Sequence, residues 1–86
     1  MYYIYILKLN NSKLYTGYSN NIKRRMQEHQ EGKVTTTSKF LPIKLIHYEA
    51  YVLQSDALRR KKFLKTSDGK HFLKQQLSDL LKSFKS

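Results

Sequence analysis

Over its first residues the chain alternates apolar and polar positions, and further on it changes to helical spacing. Met1 to Leu9 is rich in Tyr and Ile with a two-residue period, which predicts a strand. Asn10-Asn11-Ser12 is turn chemistry, because short polar side chains bond the local backbone and tolerate left-handed conformations. Leu14 to Tyr18 predicts a second strand and completes a hairpin; Gly17 lies where close backbone approach is permitted. Ser19 or Asn20 then caps a helix to about Glu31, with Ile22, Arg25, Met26 and His29 on one stripe and Gly32 at its end. Lys33 to Phe40 is basic, Thr/Ser-rich and aperiodic, and reads as an exposed loop. Pro42 precedes a third strand, Ile43 to Tyr51, alternating Ile43, Leu45, His47 against Lys44, Ile46, Tyr48. Ser55 caps a second helix from Asp56 to about Lys65, and Thr66, Ser67 and Gly69 interrupt it. A third helix runs from about Lys70 to Phe84 on the stripe Leu73, Leu77, Leu80, Leu81 and Phe84. The order β-β-α-β-α-α predicts a small α+β domain: a three-stranded antiparallel sheet with helices packed over one face.

Size and charge narrow the class. Eighty-six residues fit one domain, here residues 1–86. Without cysteine, a disulfide framework and a thiolate zinc site are both excluded. The apolar run near the start is short and broken by Lys8, so neither a signal peptide nor a membrane span is expected, and a soluble cytoplasmic protein is the default. The net charge is +11, from 17 Lys and Arg against 6 Asp and Glu. That excess calls for a polyanion, nucleic acid before an acidic membrane surface. Seven tyrosines favour nucleic acid further, since aromatic faces stack on bases.

The candidate chemistry lies in Tyr3-Ile4-Tyr5, Tyr15-Thr16-Gly17, Arg25 and His29. A tyrosine hydroxyl or a histidine can move a proton, and a guanidinium clamps phosphate oxygens, so these residues suit a phosphodiester. Each also has a plainer reading. The tyrosines can be ordinary strand aromatics, Arg25 can lay its stem on the core, and His29 can be a cation answering the helix dipole.

In order and spacing these pieces resemble the GIY-YIG nuclease superfamily, and within it the small single-domain members similar to the nuclease domain of the nucleotide-excision repair enzyme. Tyr3-Ile4-Tyr5 stands for the first motif, with Tyr3 in place of its glycine, and Tyr15-Thr16-Gly17 for the second. Leu14 to Arg25, Pro42-Ile43-Lys44-Leu45, Tyr48-Glu49-Ala50-Tyr51 and Asp56-Ala57-Leu58-Arg59-Arg60 extend the likeness over nearly the whole chain. The resemblance implies metal-dependent hydrolysis of DNA phosphodiesters, branched or damaged DNA included, in repair, recombination or defence. It implies Tyr15 as the group that activates water, Tyr5 as its assistant, Arg25 as the phosphate clamp and His29 as a proton-handling group. Lys23, Arg24, Arg59, Arg60 and Lys61 supply a surface for the nucleic-acid backbone.

One position departs from the pattern. Members of the family bind magnesium or manganese through a glutamate on the helix after the third strand, and here that place holds Lys61. Divalent magnesium or manganese takes oxygen ligands, whereas an ammonium only donates hydrogen bonds. Ala57, Lys61 and Leu64 share one helical face, which points Lys61 toward the sheet. Glu28, Glu49 and Asp56 are the other nearby acids, and none matches the metal position. Three functions follow: an endonuclease-type domain impaired at its metal site, a non-catalytic basic nucleic-acid-binding module, or a protein-interaction domain with incidental charge.

Overall fold

The computed structural model describes residues 1–84. Its centre is β1 (Tyr2–Lys8), flanked by β2 (Leu14–Ser19) and β3 (Lys44–Tyr51) in the order β2-β1-β3, antiparallel on both sides. The hairpin between β1 and β2 turns at Ser12, whose φ of 67° is left-handed, and the Asn11 side chain accepts from Lys13 N at 3.0 Å.

Helices cover both faces of the sheet, not one as the pattern predicts. Ile4 and Ile6 pack on one face against Ala57, Leu64 and Leu73. Tyr5, Leu7 and Leu9 pack on the other, against Ile22, Met26, Phe40 and Ile43. Ile4, Tyr5, Ile6 and Leu7 are therefore buried in succession, at 1% exposure or less. The sign was in the sequence: a strand apolar in both phases of its alternation is a central strand buried on both sides. At about 1.5–3 kcal/mol for each fully buried large side chain, β1 holds the two half-cores together.

Helix α1 (Ile22–Gln30) is capped by Asn21, whose side chain accepts from Arg24 N at 3.1 Å. Ser19, one of the predicted caps, instead exchanges hydrogen bonds with the Asn21 backbone at 2.9 and 3.0 Å. Gly32, with φ of 75°, ends the helix as its sequence predicts. The segment after it is not an exposed loop. Val34 and Thr37 are buried, a short 3-10 turn spans Ser38–Phe40, and Asn10 N donates to Phe40 O at 2.9 Å. No periodicity announced this, because single inward residues in a coil leave no repeat.

β3 carries a bulge that breaks the predicted alternation. Leu7 faces Leu45 and Ile6 faces His47, so Ile46 is the extra residue, and it leans onto the Ile4/Ile6 core. Helix α2 (Gln54–Leu64) begins before the predicted Asp56, with Leu53 at the cap position and Ser55 inside. Thr66 begins α3 (Ser67–Gln76) rather than breaking a helix: its hydroxyl accepts from Gly69 N at 3.0 Å. A Cβ on Gly69 would overlap the Phe63 carbonyl, so glycine allows α3 to start tight against α2. The predicted third helix is two, because the chain leaves helical geometry at Leu77 before α4 (Ser78–Ser83).

Candidate active site

Tyr5 crosses from the central strand to the neighbouring one. Its register partner on β2 is Gly17, and a Cβ there would overlap the Tyr5 ring. The glycine thus makes room for a phenol, where the sequence suggested backbone approach. The Tyr5 hydroxyl then meets His29 Nε2 at 2.8 Å. The other nitrogen, Nδ1, lies 2.7 Å from Thr37 Oγ1. Tyr15, two residues before Gly17, stands edge-on to His29 at 5.6 Å and tilted to Tyr5 at 6.4 Å between centroids. Arg25, one turn before His29, places its guanidinium beside the Tyr5 hydroxyl and pairs with Glu28 at 3.3 Å. All four residues predicted to carry the chemistry are therefore brought together by one strand pair and one helix. Thr37 joins them, and nothing in its Thr/Ser-rich surroundings marked it.

Donor counting orients the cluster. The Thr37 hydroxyl donates to the Val34 carbonyl, so it accepts from His29, which leaves Nε2 to take the proton of the Tyr5 hydroxyl. His29 Nδ1–H then donates to Thr37, whose hydroxyl has the Val34 carbonyl 3.5 Å away. Charge follows the same logic. Burial, then the nearby Arg25 cation, lowers the His29 pKa below the ordinary 6.5. His29 is fully buried and neutral, not a solvated cation at a helix end. Burial raises the Tyr5 hydroxyl, against the pull of Arg25, and the bond to Tyr5 raises Arg25. Tyr5 and His29 are thus held as neutral donors and acceptors, while the half-buried Tyr15 and Arg25 are the members that reach solvent.

The basic residues divide. Lys23 and Arg24 are exposed on α1, and Arg24 and Arg25 line an open groove of about 420 Å³ with Tyr18, Ser19, Asn20, Glu28 and Gln54. Lys61 is half-buried on α2 between the buried Ala57 and Leu64, with Arg25 and Lys65 as its charged neighbours. Arg59 is exposed and pairs with Asp56 at 2.9 Å. Arg60 serves the fold. It grips Glu49 through Nε at 2.9 Å and a second nitrogen at 3.2 Å, reaches Gln76 and lies over the rings of Phe63 and Phe72. Tyr51 and His47 complete the carboxylate's partners at 2.7 and 3.1 Å. Burial works against the Glu49 charge, but hydrogen bonds from Arg60, Tyr51 and His47 outweigh it and hold its pKa below the usual range. The same surroundings, burial first, push Tyr51 up to about 12. This network was not visible in the sequence, since its members come from β3, α2 and α3.

Comparison with known proteins gives the arrangement a lineage. The profile of the GIY-YIG catalytic domain matches residues 1–75. The chain belongs to the GIY-YIG family. Among its relatives, a UPF0213 protein of Staphylococcus epidermidis is 35% identical over 85% of this chain and 90% of its own length. One from Haloquadratum walsbyi is 34% identical over 91% and 86%. The solution NMR structure of a UPF0213 protein from Bacillus halodurans superposes with a TM-score of 0.57 at 29% identity, covering 88% of this chain and 85% of that one. No helix among the described residues is long and apolar enough to cross a membrane.

GIY-YIG enzymes are generally metal-dependent, and the residues present here do not fit a divalent ion. Among the described residues no three His, Asp or Glu side chains converge as donors. The charged groups beside Arg25 are the Lys61 ammonium and Glu28, and Glu28 is tied to Arg25. A hard cation takes oxygen ligands, which neither Lys61 nor Arg25 supplies, and is repelled by both positive charges.

Proposed function

We propose that this chain is a GIY-YIG endonuclease-type domain that takes up DNA phosphodiesters at Tyr15 and Arg25, with negligible magnesium-dependent turnover. The observation that carries this is the Arg25–Tyr5–His29 cluster, which holds a guanidinium near the Tyr5 hydroxyl while the Tyr15 ring stands edge-on to His29. Arg25 clamps the phosphate and answers charge that develops on it. Tyr15 is the proton acceptor for an attacking water, Tyr5 holds Arg25, and His29 keeps Tyr5 in place and handles its proton. Arg24 follows the DNA backbone along the adjoining groove with the exposed Lys23 beside it in sequence, and Arg59 and Lys61 lie on the second basic helix. Arg60, gripped by Glu49, leaves the surface that contacts DNA. The reading places one such domain, residues 1–86, in the cytoplasm among DNA repair activities.

A second reading has specific support. Lys61 in place of a metal-binding carboxylate favours a binding module that keeps the site and performs no hydrolysis. Labelled branched and duplex DNA, followed by anisotropy and by gel in magnesium and manganese, tests both. Binding that falls steeply with salt and weakens in Arg25→Ala is expected, with cleavage at background. Robust cleavage lost in Tyr15→Phe would overturn the absence of turnover. No binding at low salt would overturn DNA as the ligand.

A further inference from the structure

Lys61 is a cation without a counter-ion among the described residues. It makes no hydrogen bond or ion pair with them, and its helical neighbours Ala57 and Leu64 are buried at 0% and 1% exposure. Its charged neighbours, Arg25 and Lys65, carry the same sign. The nearby acids are engaged elsewhere: Glu28 with Arg25, Glu49 with Arg60, and Asp56 with Arg59. Burial first, then Lys65 and Arg25, lowers the Lys61 pKa from its ordinary value. A half-buried ammonium beside a guanidinium, with no acid of its own, is a costly arrangement that a bound anion relieves.

We propose that Lys61, with Arg25 and Lys65, holds a DNA phosphate directly through its ammonium, so that this chain engages DNA with no divalent cation at the site. The inference rests on the DNA reading above and specifies how that site is charged. Lysine is suited to the task as a compact point charge with three donors. Arg25 supplies the planar partner from the opposite helix. In this chain, the cation of the phosphate site is part of the protein.

The experiment is DNA binding in EDTA and in magnesium at matched ionic strength. The wild-type chain is compared with Lys61→Met, Lys61→Glu and Lys61→Arg, with thermal melts as a folding control. The wild-type chain binds in EDTA no more weakly than in magnesium. Lys61→Met binds about tenfold more weakly and loses about one unit of salt slope, while Lys61→Arg retains binding. Lys61→Glu loses binding in EDTA and recovers part of it in manganese. Folded Lys61→Met within twofold of the wild type, or a wild type that needs magnesium to bind, would overturn the proposal. Should Lys61→Met not fold, loss of EDTA binding in Lys61→Arg would likewise overturn it. Failure of the wild type to bind any DNA sinks the DNA reading, and titration with inorganic pyrophosphate then decides the pocket. NMR shifts at the Lys61 side chain with pyrophosphate sustain it, and their absence ends it.

Discussion

Replacing Gly17 by alanine should unseat Tyr5, and the cost can be worked out from the packing. Gly17 has a backbone conformation open to any residue, since its φ is not in the left-handed region. By chain entropy alone, Gly17→Ala would stabilise by about 0.4–1 kcal/mol. The new methyl group, however, falls on the outer end of the Tyr5 ring. That ring cannot swing away cheaply: Tyr5 has no exposed surface, and its hydroxyl is bonded to His29. Overpacking costs about 1–3 kcal/mol, and leaving the buried His29 Nε2 unsatisfied adds about 1–3 kcal/mol. Net of the entropy gain, a loss of about 1–5.5 kcal/mol is expected. For a domain of this size each kcal/mol lowers Tm by roughly 4–8 °C. Urea denaturation in two backgrounds is the assay, because the clash needs both partners. Gly17→Ala should cost at least about 1 kcal/mol in the wild type. In Tyr5→Leu it should cost under about 0.5 kcal/mol or stabilise, since the shorter side chain leaves the methyl group unopposed. Equal costs in both backgrounds would refute the idea that this glycine exists to accommodate Tyr5.

Other outcomes follow from the same contacts. With its folded pKa lowered, His29 contributes stability that is complete above the unfolded value of 6.5 and is lost as pH falls through the folded pKa. Urea titrations across pH 7 to 5 should therefore show a falling stability that His29→Gln flattens; an unchanged slope would contradict a neutral buried imidazole. Thr37→Val should cost about 1–2 kcal/mol by removing the Nδ1 partner, and nitrogen NMR should show the Nδ1–H tautomer weakened. A wild-type-like spectrum in that variant would count against the orientation assigned to the cluster. Glu49→Gln leaves Arg60 poorly paired and should cost about 2 kcal/mol by urea denaturation. Glu49 also loses its contribution as pH falls below its unfolded value of 4.5 and through the lowered folded one, so Glu49→Gln should reduce the acid sensitivity of the melt.

The hairpin and α1 with its Gly32 stop were legible in the chain because each rests on local spacing, whereas the grouping of Tyr5, Tyr15, Arg25 and His29 was legible only through its likeness to the family's motifs. A two-residue period places Tyr15 and Gly17 on one face of β2, and one helical turn separates Arg25 from His29. Even the lysine on the inward face of α2 follows from a three-to-four-residue repeat. Capping was less legible, because Ser19, Asn20 and Asn21 all suit the role, and only the geometry of the preceding strand selects Asn21. What the sequence could not decide depends on residues far apart meeting once. Thr37 is buried because a coil folds under α1, and Gly17 matters because of a ring twelve residues earlier. Arg60 leaves the basic surface because β3 brings it Glu49, and covering both faces of the sheet depends on which side each helix crosses to. Periodicity fixes which way a side chain points within its own element. What it points at is set by the packing of elements against each other, and that has no local signature.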